Sequence, residues 1–392
     1  MNLKQFIRRY LVTIMTVFFM LGVMGTRPLV SLLSHELGAS PVEIGIITGI
    51  FSLLPFFLAI QIGKYIDKHG YKVIILVSSL FSFIGLLLPM VITNIFGIYI
   101  SQVITGVAYT TFVVAGQTMT GINANDKNRD INVMRFSIGM ALGSFLGPFI
   151  GGLISEEWGY QNAFLGLGLG CLFALFLALL LVEIKGDKAQ ESKKQKITNT
   201  IGLLKDSTLR KVFLIGVLIL FGKDMYAAFF PLLGLEFGLS NSMIGIIISI
   251  NALAGIIIRW SLPFLLNNFS RTKIIVGSIF LSGICIIILP FFTNWVVLTV
   301  LSFTLGMGLG IGQPLSISAT IQYLPKERVG EGLGLRLSAN RLTQLIAPVI
   351  VGSIAEVVSI KGVFYFVGVV LCFGTTKMKG LNANRKREEK VG

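Results

Sequence analysis

Five ionisable side chains fall inside long apolar runs of this chain: Arg27, Lys223, Asp224, Arg259 and Arg341. A charge at the centre of a bilayer costs about 2.5–3.5 kcal/mol on insertion scales, so such residues usually face an internal cavity and take part in function. Asp224 is the only acid among them and is the candidate proton carrier. A neighbouring cation favours the ionised form of a carboxyl group, and burial favours the protonated one. Moving the cation away would therefore let a proton bind. The other use open to Asp224 is a static ion pair, with Lys223 or with an arginine, that holds helices together. Adjacent residues on a helix point about 100° apart, so Arg341 or Arg27 suits Asp224 better than Lys223 does.

Four cations against one acid would leave a shared cavity net positive. Such a cavity attracts anions or zwitterions bearing carboxylate or phosphate, and arginine grips those groups in a two-point fork. For Arg27 and Arg259 a second reading is open, in which they reach the outer and the cytoplasmic surface respectively. Neutral partners for a site are Asn340, Gln344, Gln313, Gln117 and Asn251. Gln344 is four residues on from Asn340 and three on from Arg341, so the three share a helix face. Tyr109, Tyr226 and Phe230 are available as walls, although aromatics at helical spacing more often serve packing.

The chain carries no nucleophile–base pair, no metal-ligand cluster and no G-x-x-x-x-G-K-[ST] segment. It has two histidines, His35 and His69, and three cysteines, Cys171, Cys285 and Cys372, which sit in apolar runs without pairing or metal spacing. An enzyme, an ATP-driven pump, a metal and a cofactor are not expected.

The elements that position these residues follow from composition. Of 392 residues, 54% are apolar and 13% charged, against about 25% charged in soluble domains. Mean hydropathy is +0.83. The apolar residues come in runs of roughly 20, the length that crosses a ~30 Å hydrocarbon core. Membrane helices are expected over 11–33, 41–66, 73–93, 95–121, 133–155 and 161–183, then over 210–234, 242–266, 274–292, 294–322, 332–356 and 361–376. The reading is an all-α membrane protein of twelve transmembrane helices. Residues 1–183 and 210–376 form two six-helix bundles, joined by a polar linker over 184–209 and followed by a basic tail over 377–392.

The two bundles are copies. Gly38, Ser40, Ile44 and Gly45 reappear as Gly238, Ser240, Ile244 and Gly245, and Gly106 as Gly306. Gly147-Pro148 returns as Ala347-Pro348, always at an offset of 200. A duplicated membrane unit is the architecture of many secondary transporters.

The net charge of +15 does not point to nucleic acid, because its position along the chain follows the positive-inside rule. With the N-terminus inside, 28 of the 33 Lys and Arg residues, all except Arg27, Lys223, Arg259, Arg341 and Lys361, fall in the cytoplasmic segments or the helix turns that border them. The opposite loops hold Lys361 with Glu36, Glu43, Glu156, Glu157, Glu236 and Glu356. Both termini are therefore expected in the cytoplasm. The basic linker and tail suit a surface of anionic lipid.

Two motifs remain. After the second helix comes a loop with Gly63, Asp67, Lys68, Gly70 and Lys72, in which Gly63 would permit close backbone approach and Gly70 a tight turn. In the fifth helix, Gly139, Gly143, Gly147 and Gly151 stand four apart, with Pro148 to kink the helix and Gly152 beside the last glycine.

The loop motif, the two sets of six helices and the linker between them resemble the major facilitator superfamily, and the likeness covers nearly the whole chain. The glycine-proline motif resembles the antiporter signature of its exporters, such as drug–proton antiporters. The resemblance implies that the loop is a conformational latch. Asp67 would dock near the cytoplasmic start of helix eleven, with Lys68 and Lys72 as its local charge partners. In the second repeat those positions are Asn267 and Ser270, so the latch is one-sided. It also implies that helices one, seven, eight and eleven line a central cavity. Many proton-coupled members carry an arginine four residues before the glycine that is Gly106 here. This chain has Gln102 instead, which puts that route of proton coupling in doubt.

The expected function is export of a small organic solute, with the charged groups pointing to an anion or zwitterion. Transport would proceed by alternating access, as antiport against protons through Asp224, in a bacterial-type plasma membrane and as a monomer. Two alternatives stand beside it: an importer or exchanger of an organic anion, and a non-transporting receptor or scaffold on the same fold.

Overall fold

The computed structural model describes residues 3–122, 126–181, 203, 205–322, 324 and 328–378. Its elements are α1 (Leu3–Glu36), α2 (Pro41–Ile50), α3 (Leu53–His69), α4 (Tyr71–Val91), α5 (Ile95–Ile122) and α6 (Asp126–Leu179) in the first half. The second half holds α7 (Ser207–Glu236), α8 (Asn241–Trp260), α9 (Leu262–Asn268), α10 (Arg271–Ile288), α11 (Trp295–Gln322), α12 (Val329–Val357) and α13 (Ile360–Thr376). Among the described residues nine helices are long and apolar enough to cross a membrane, and Ile360–Thr376 is a shorter apolar one. Large apolar side chains such as Phe57, Trp260 and Phe373 cover the outside of the bundle, the surface that hydrocarbon would meet.

The expected helix over 41–66 is in fact two, α2 and α3, parted at Phe51 and Ser52. The Ser52 amide bonds the Gly49 carbonyl at 2.9 Å, one residue short of the α-helical partner. The bend falls where the Phe51 carbonyl presses on Gly106 of α5, a spot with no room for a Cβ. The expected helix over 242–266 is likewise broken, into α8 and α9, at Ser261. Its repeat-related contact is Gly306 of α11 against the Asn251 carbonyl. The gap expected between the fifth and sixth helices narrows to Gly159 alone, whose φ of 81° interrupts α6 and divides it into two arms. Most of the linker over 184–209 and of the tail over 377–392 lies outside the described residues.

The repeat is visible in its local chemistry. Gly38 and Gly238 turn the chain at φ of 81° and 73°, and Ser40 and Ser240 then cap α2 and α8 through their side chains. Each hydroxyl satisfies an amide that the first turn of a helix leaves free. Ser40 forms a full capping box with Glu43, whereas Met243 at the second site cannot return the bond.

Within the first half, the glycine ladder of α6 packs on α1. A Cβ built on Gly139 would lie 2.7 Å from the Thr13 carbonyl oxygen, and one on Gly147 would lie 2.7 Å from the Gly25 amide. The second arm of α6 closes on the same helix, with Cys171 Sγ and the Leu167 carbonyl against Gly22.

The two halves meet through α2 on α12 and through the first arm of α6 on α8. These contacts lie toward the face opposite the chain termini. Gly45 presses on the Pro348 carbonyl and Gly245 on the Pro148 carbonyl. Gly49 abuts Leu345, Gly152 abuts Asn241, and Gly352 abuts Pro41. Every one of these neighbours is backbone, so at these glycines the helices of the two halves touch without a side chain between them. Lys223, midway along α7, is nevertheless exposed and lies among Asp224, Arg259 and Arg27. The space between the halves therefore opens toward the termini.

Candidate functional site

At the floor of this space, α1, α2, α5, α7 and α12 surround a small, partly open pocket with about 10 Å³ of water-accessible space, room for about one water. Its polar lining is Arg27, Thr48, Gln102, Asp224 and Gln344. Pro28 follows Arg27 within α1 and Pro348 follows Gln344 by one turn within α12. Each proline removes a backbone donor from its helix near the site.

One hydrogen-bonded chain runs through the site. Gln344 Nε2 donates to Asp224 Oδ2 at 2.9 Å. Gln344 Oε1 accepts from Arg341 NH1 at 3.0 Å and from Ser52 Oγ at 3.3 Å. Arg341 NH2 in turn donates to Thr110 Oγ1 at 3.4 Å. The amide orientation is fixed by this chemistry: reversed, it would aim its NH₂ group at a guanidinium and its oxygen at a carboxylate. Asp224, Arg341 and Gln344 belong to the second half, while Ser52 and Thr110 belong to the first. The carboxylate is thus linked to both halves through a neutral amide.

Arg27 stacks on Phe51, its Cζ 4.3 Å from the ring centroid, a cation–π contact. Its NH1 is buried and has no hydrogen-bond partner among the described residues, and the same holds for Gln102 Oε1. Buried polar atoms are satisfied as a rule. A donor and an acceptor left open in one pocket are places for a ligand's own polar groups.

The structure brings together Arg27, Asp224, Arg341 and Gln344 of the expected set, with Lys223 exposed beside them. The direct Asp224–arginine pair expected from sequence is replaced by the bridge through Gln344. Asn340 is buried, its Oδ1 has no hydrogen-bond partner among the described residues, and it does not line the pocket. Asn251 lies elsewhere: its Nδ2 donates to the Ser302 carbonyl at 2.8 Å and ties α8 to α11. Ser302 Oγ also bonds the Tyr226 hydroxyl, so Tyr226 is a packing residue. Arg259 is exposed in the last turn of α8, beside Trp260 and away from the pocket lining. Gln117 is exposed on α5 and lines no part of the pocket. The Gln313 side chain lies outside the described residues.

Sequence reasoning missed Thr48, Ser52 and Thr110, whose hydroxyls carry no distinctive spacing. It also missed Arg336, which is 4% exposed and bonds Ser316 Oγ at 3.3 Å. Arg336 stands one turn inside the expected helix over 332–356, which was the available signal.

In the loop motif, Gly70 makes its turn at φ 83°. A Cβ on Gly63 would meet nothing within 4 Å, so the close backbone approach expected there does not occur. Lys72 Nζ donates to the Leu179 carbonyl at 3.0 Å, at the end of α6. The side chains of Asp67 and Lys68 lie outside the described residues. In the helix motif, Gly139, Gly143, Gly147 and Gly151 face α1, whereas Pro148 and Gly152 face α8 of the other half.

The family model described as Major Facilitator Superfamily matches residues 12–222 and again 212–387. The chain belongs to the Major Facilitator Superfamily. It is a multi-pass membrane transporter and not an enzyme. An uncharacterized MFS-type transporter of Methanocaldococcus jannaschii is 25% identical over 91% of this chain and 93% of its own length. Multidrug resistance protein 1 of Bacillus subtilis is 22% identical over 90% of this chain and 91% of its own length. The quinolone resistance protein NorA of Staphylococcus aureus is 23% identical over 90% of each. Among solved structures, a bacterial homolog of the human lysosomal transporter Spinster, in an inward-facing and occupied conformation, superposes with a TM-score of 0.79. It shares 12% identity over 98% of both chains. The nucleoside transporter NupG gives the same score at 16% identity, over 97% of this chain and all of its own. These structures share the fold.

Proposed function

We propose that this protein exports a small organic solute by alternating access, in antiport with protons carried by Asp224. The observation that carries the reading is the chain Asp224–Gln344–Arg341 with its branches to Ser52 and Thr110. A proton arriving on Asp224 Oδ2 would face the Gln344 NH₂ donor, and two donors cannot share one bond. Gln344 must then turn or withdraw, and its Oε1 leaves Arg341 and Ser52. Protonation at one carboxylate is thereby felt in both halves of the chain.

On this reading the twelve crossings form bundles over 1–183 and 210–376 and both termini lie in the cytoplasm. α2–α3 and α8–α9 each count as one crossing and α6 as two. The structure then stands open to the cytoplasm. Export is favoured by the Gly147-Pro148 motif and by relatives named for drug resistance. The substrate class suggested by the site is a solute with a carboxylate or phosphate, because Arg27, Arg341 and Lys223 outnumber Asp224 and Arg27 NH1 is unfilled. That same excess favours a second reading, exchange or import of an organic anion without protons.

The test uses inside-out vesicles with an acid interior, reported by a pH-sensitive dye, and a panel of cationic, neutral and anionic compounds. Collapse of the gradient by anionic or zwitterionic compounds supports the proposal. Collapse by cations alone refutes the substrate class, and no proton movement with any compound while anions exchange supports the second reading.

A further inference from the structure

Glu156 and Glu356 occupy the same position in the two repeats, 200 residues apart. Each ends a membrane-crossing stretch of its own half and reaches into the other half. Glu156 Oε2 accepts from the Ser242 amide at 2.8 Å, and the Ser240 and Ser242 hydroxyls also bond this carboxylate. Glu356 Oε2 accepts from Ser40 Oγ at 2.9 Å and from the Val42 amide at 3.3 Å. Ser40 and Ser240 are the N-caps of α2 and α8. Each carboxylate therefore sits on the N-terminus of a helix in the opposite half. There the amides of the first turn lack partners and the helix carries partial positive charge. Beneath the two carboxylates lie the backbone contacts of Gly152 with Asn241 and of Gly352 with Pro41. Tyr160 adds one further bond between halves, its hydroxyl donating to Asn241 Oδ1 at 3.0 Å.

We propose that Glu156 and Glu356 are a matched pair of locks that hold the gate opposite the termini closed through charge on helix ends. Neither is paired with a cation among the described residues. The cation at this face, Lys361, is taken by Glu236 at 3.3 Å. The locks depend on the relative position of the halves. When the halves rock apart at this face, each carboxylate leaves its helix end and is rehydrated, so its stabilisation belongs to the closed state alone. Two equivalent locks on separate helix pairs resist opening on both sides of the interface.

The inference rests on alternating access, and the experiment separates the two. Spin labels are placed at Thr93→Cys and Thr293→Cys, exposed positions in the loops before α5 and α11, with Cys171, Cys285 and Cys372 changed to alanine. The distance distribution across this face is then measured in lipid nanodiscs. Glu156→Gln keeps an acceptor and loses the charge, and each single Gln variant is expected to lower the closed-to-open ratio about threefold. The double variant is expected to lower it about tenfold, since separate sites combine. Both glutamates are exposed, so folding is not at stake, and Glu156→Asp should recover part of the shift. If wild type shows two distances that interconvert, yet the double variant matches wild type, the locks are refuted and the glycine contacts alone close the gate. If no sample shows a second distance at any pH or with any transported compound, alternating access at this face falls as well.

Discussion

Replacing Gly152 by alanine should open the gate that the glycine contacts close. A Cβ at Gly152 lies 2.6 Å from the Asn241 carbonyl oxygen and 3.1 Å from the Gly245 Cα, where ordinary contact begins at 3.4 Å. Both neighbours are backbone and cannot rotate away, so α6 and α8 must part by about 0.8 Å at this level. Overpacking of this kind costs about 1–3 kcal/mol. In the open state the two helices are apart and the methyl group meets no such wall, so the cost falls on the closed state. At 1.4 kcal/mol per tenfold, the closed-to-open ratio should fall by about 5- to 150-fold. The assay is the distance distribution between labels at Thr93→Cys and Thr293→Cys, with thermal unfolding in parallel. Gly277→Ala on α10 is the control, because a Cβ there meets nothing within 4 Å. A lower unfolding temperature with an unchanged distance distribution would refute the reasoning, since it would make the α6–α8 contact a static core.

Gln344→Ala should slow proton-linked transport at least tenfold, because bonds to charged groups contribute about 1.5–3 kcal/mol and this residue alone joins Asp224 to Arg341; dye-reported proton flux in vesicles checks it, and unchanged coupling would contradict it. Arg27→Ala should weaken binding of an anionic compound that passes the vesicle screen by about tenfold or more, and Arg27→Lys should restore only part, since lysine lacks the fork; titration calorimetry on purified protein reads both. Gly38→Ala and Gly238→Ala should each destabilise the fold by about 1–2 kcal/mol, the penalty for a side chain at positive φ, with equal shifts in thermal unfolding at the two repeat-related turns.

Much of the frame was legible because it depends on local chemistry. The offset of 200 located Gly38 with Gly238 and Ser40 with Ser240, and these residues start α2 and α8 in the same way. The glycines of the fifth helix were readable as a flat face, but not that Gly152 turns to a different neighbour from Gly139 and Gly147. That depends on the rotation of α6 between α1 and α8. The same limit applies to the site. Asp224, Arg341 and Gln344 could be picked from an apolar background. Which of them touch depends on how α7 and α12 are set against each other, and an amide between carboxylate and guanidinium leaves no mark in spacing. Asn251 had the right depth and faced α11 instead. The break at Ser52 falls at the backbone contact of Phe51 with α5, which is far away in sequence, whereas the break at Ser261 is followed at once by Pro263 in the first turn of α9, a signal that the sequence carried.

The most direct test of the central claim compares two transport modes in Asp224→Asn. Asparagine keeps the size and one acceptor for Gln344 but cannot take up a proton. The account predicts that gradient-driven accumulation is lost while exchange of labelled for unlabelled solute, which needs no net proton movement, continues at a comparable rate. Accumulation by Asp224→Asn equal to that of wild type would contradict Asp224 as the proton carrier.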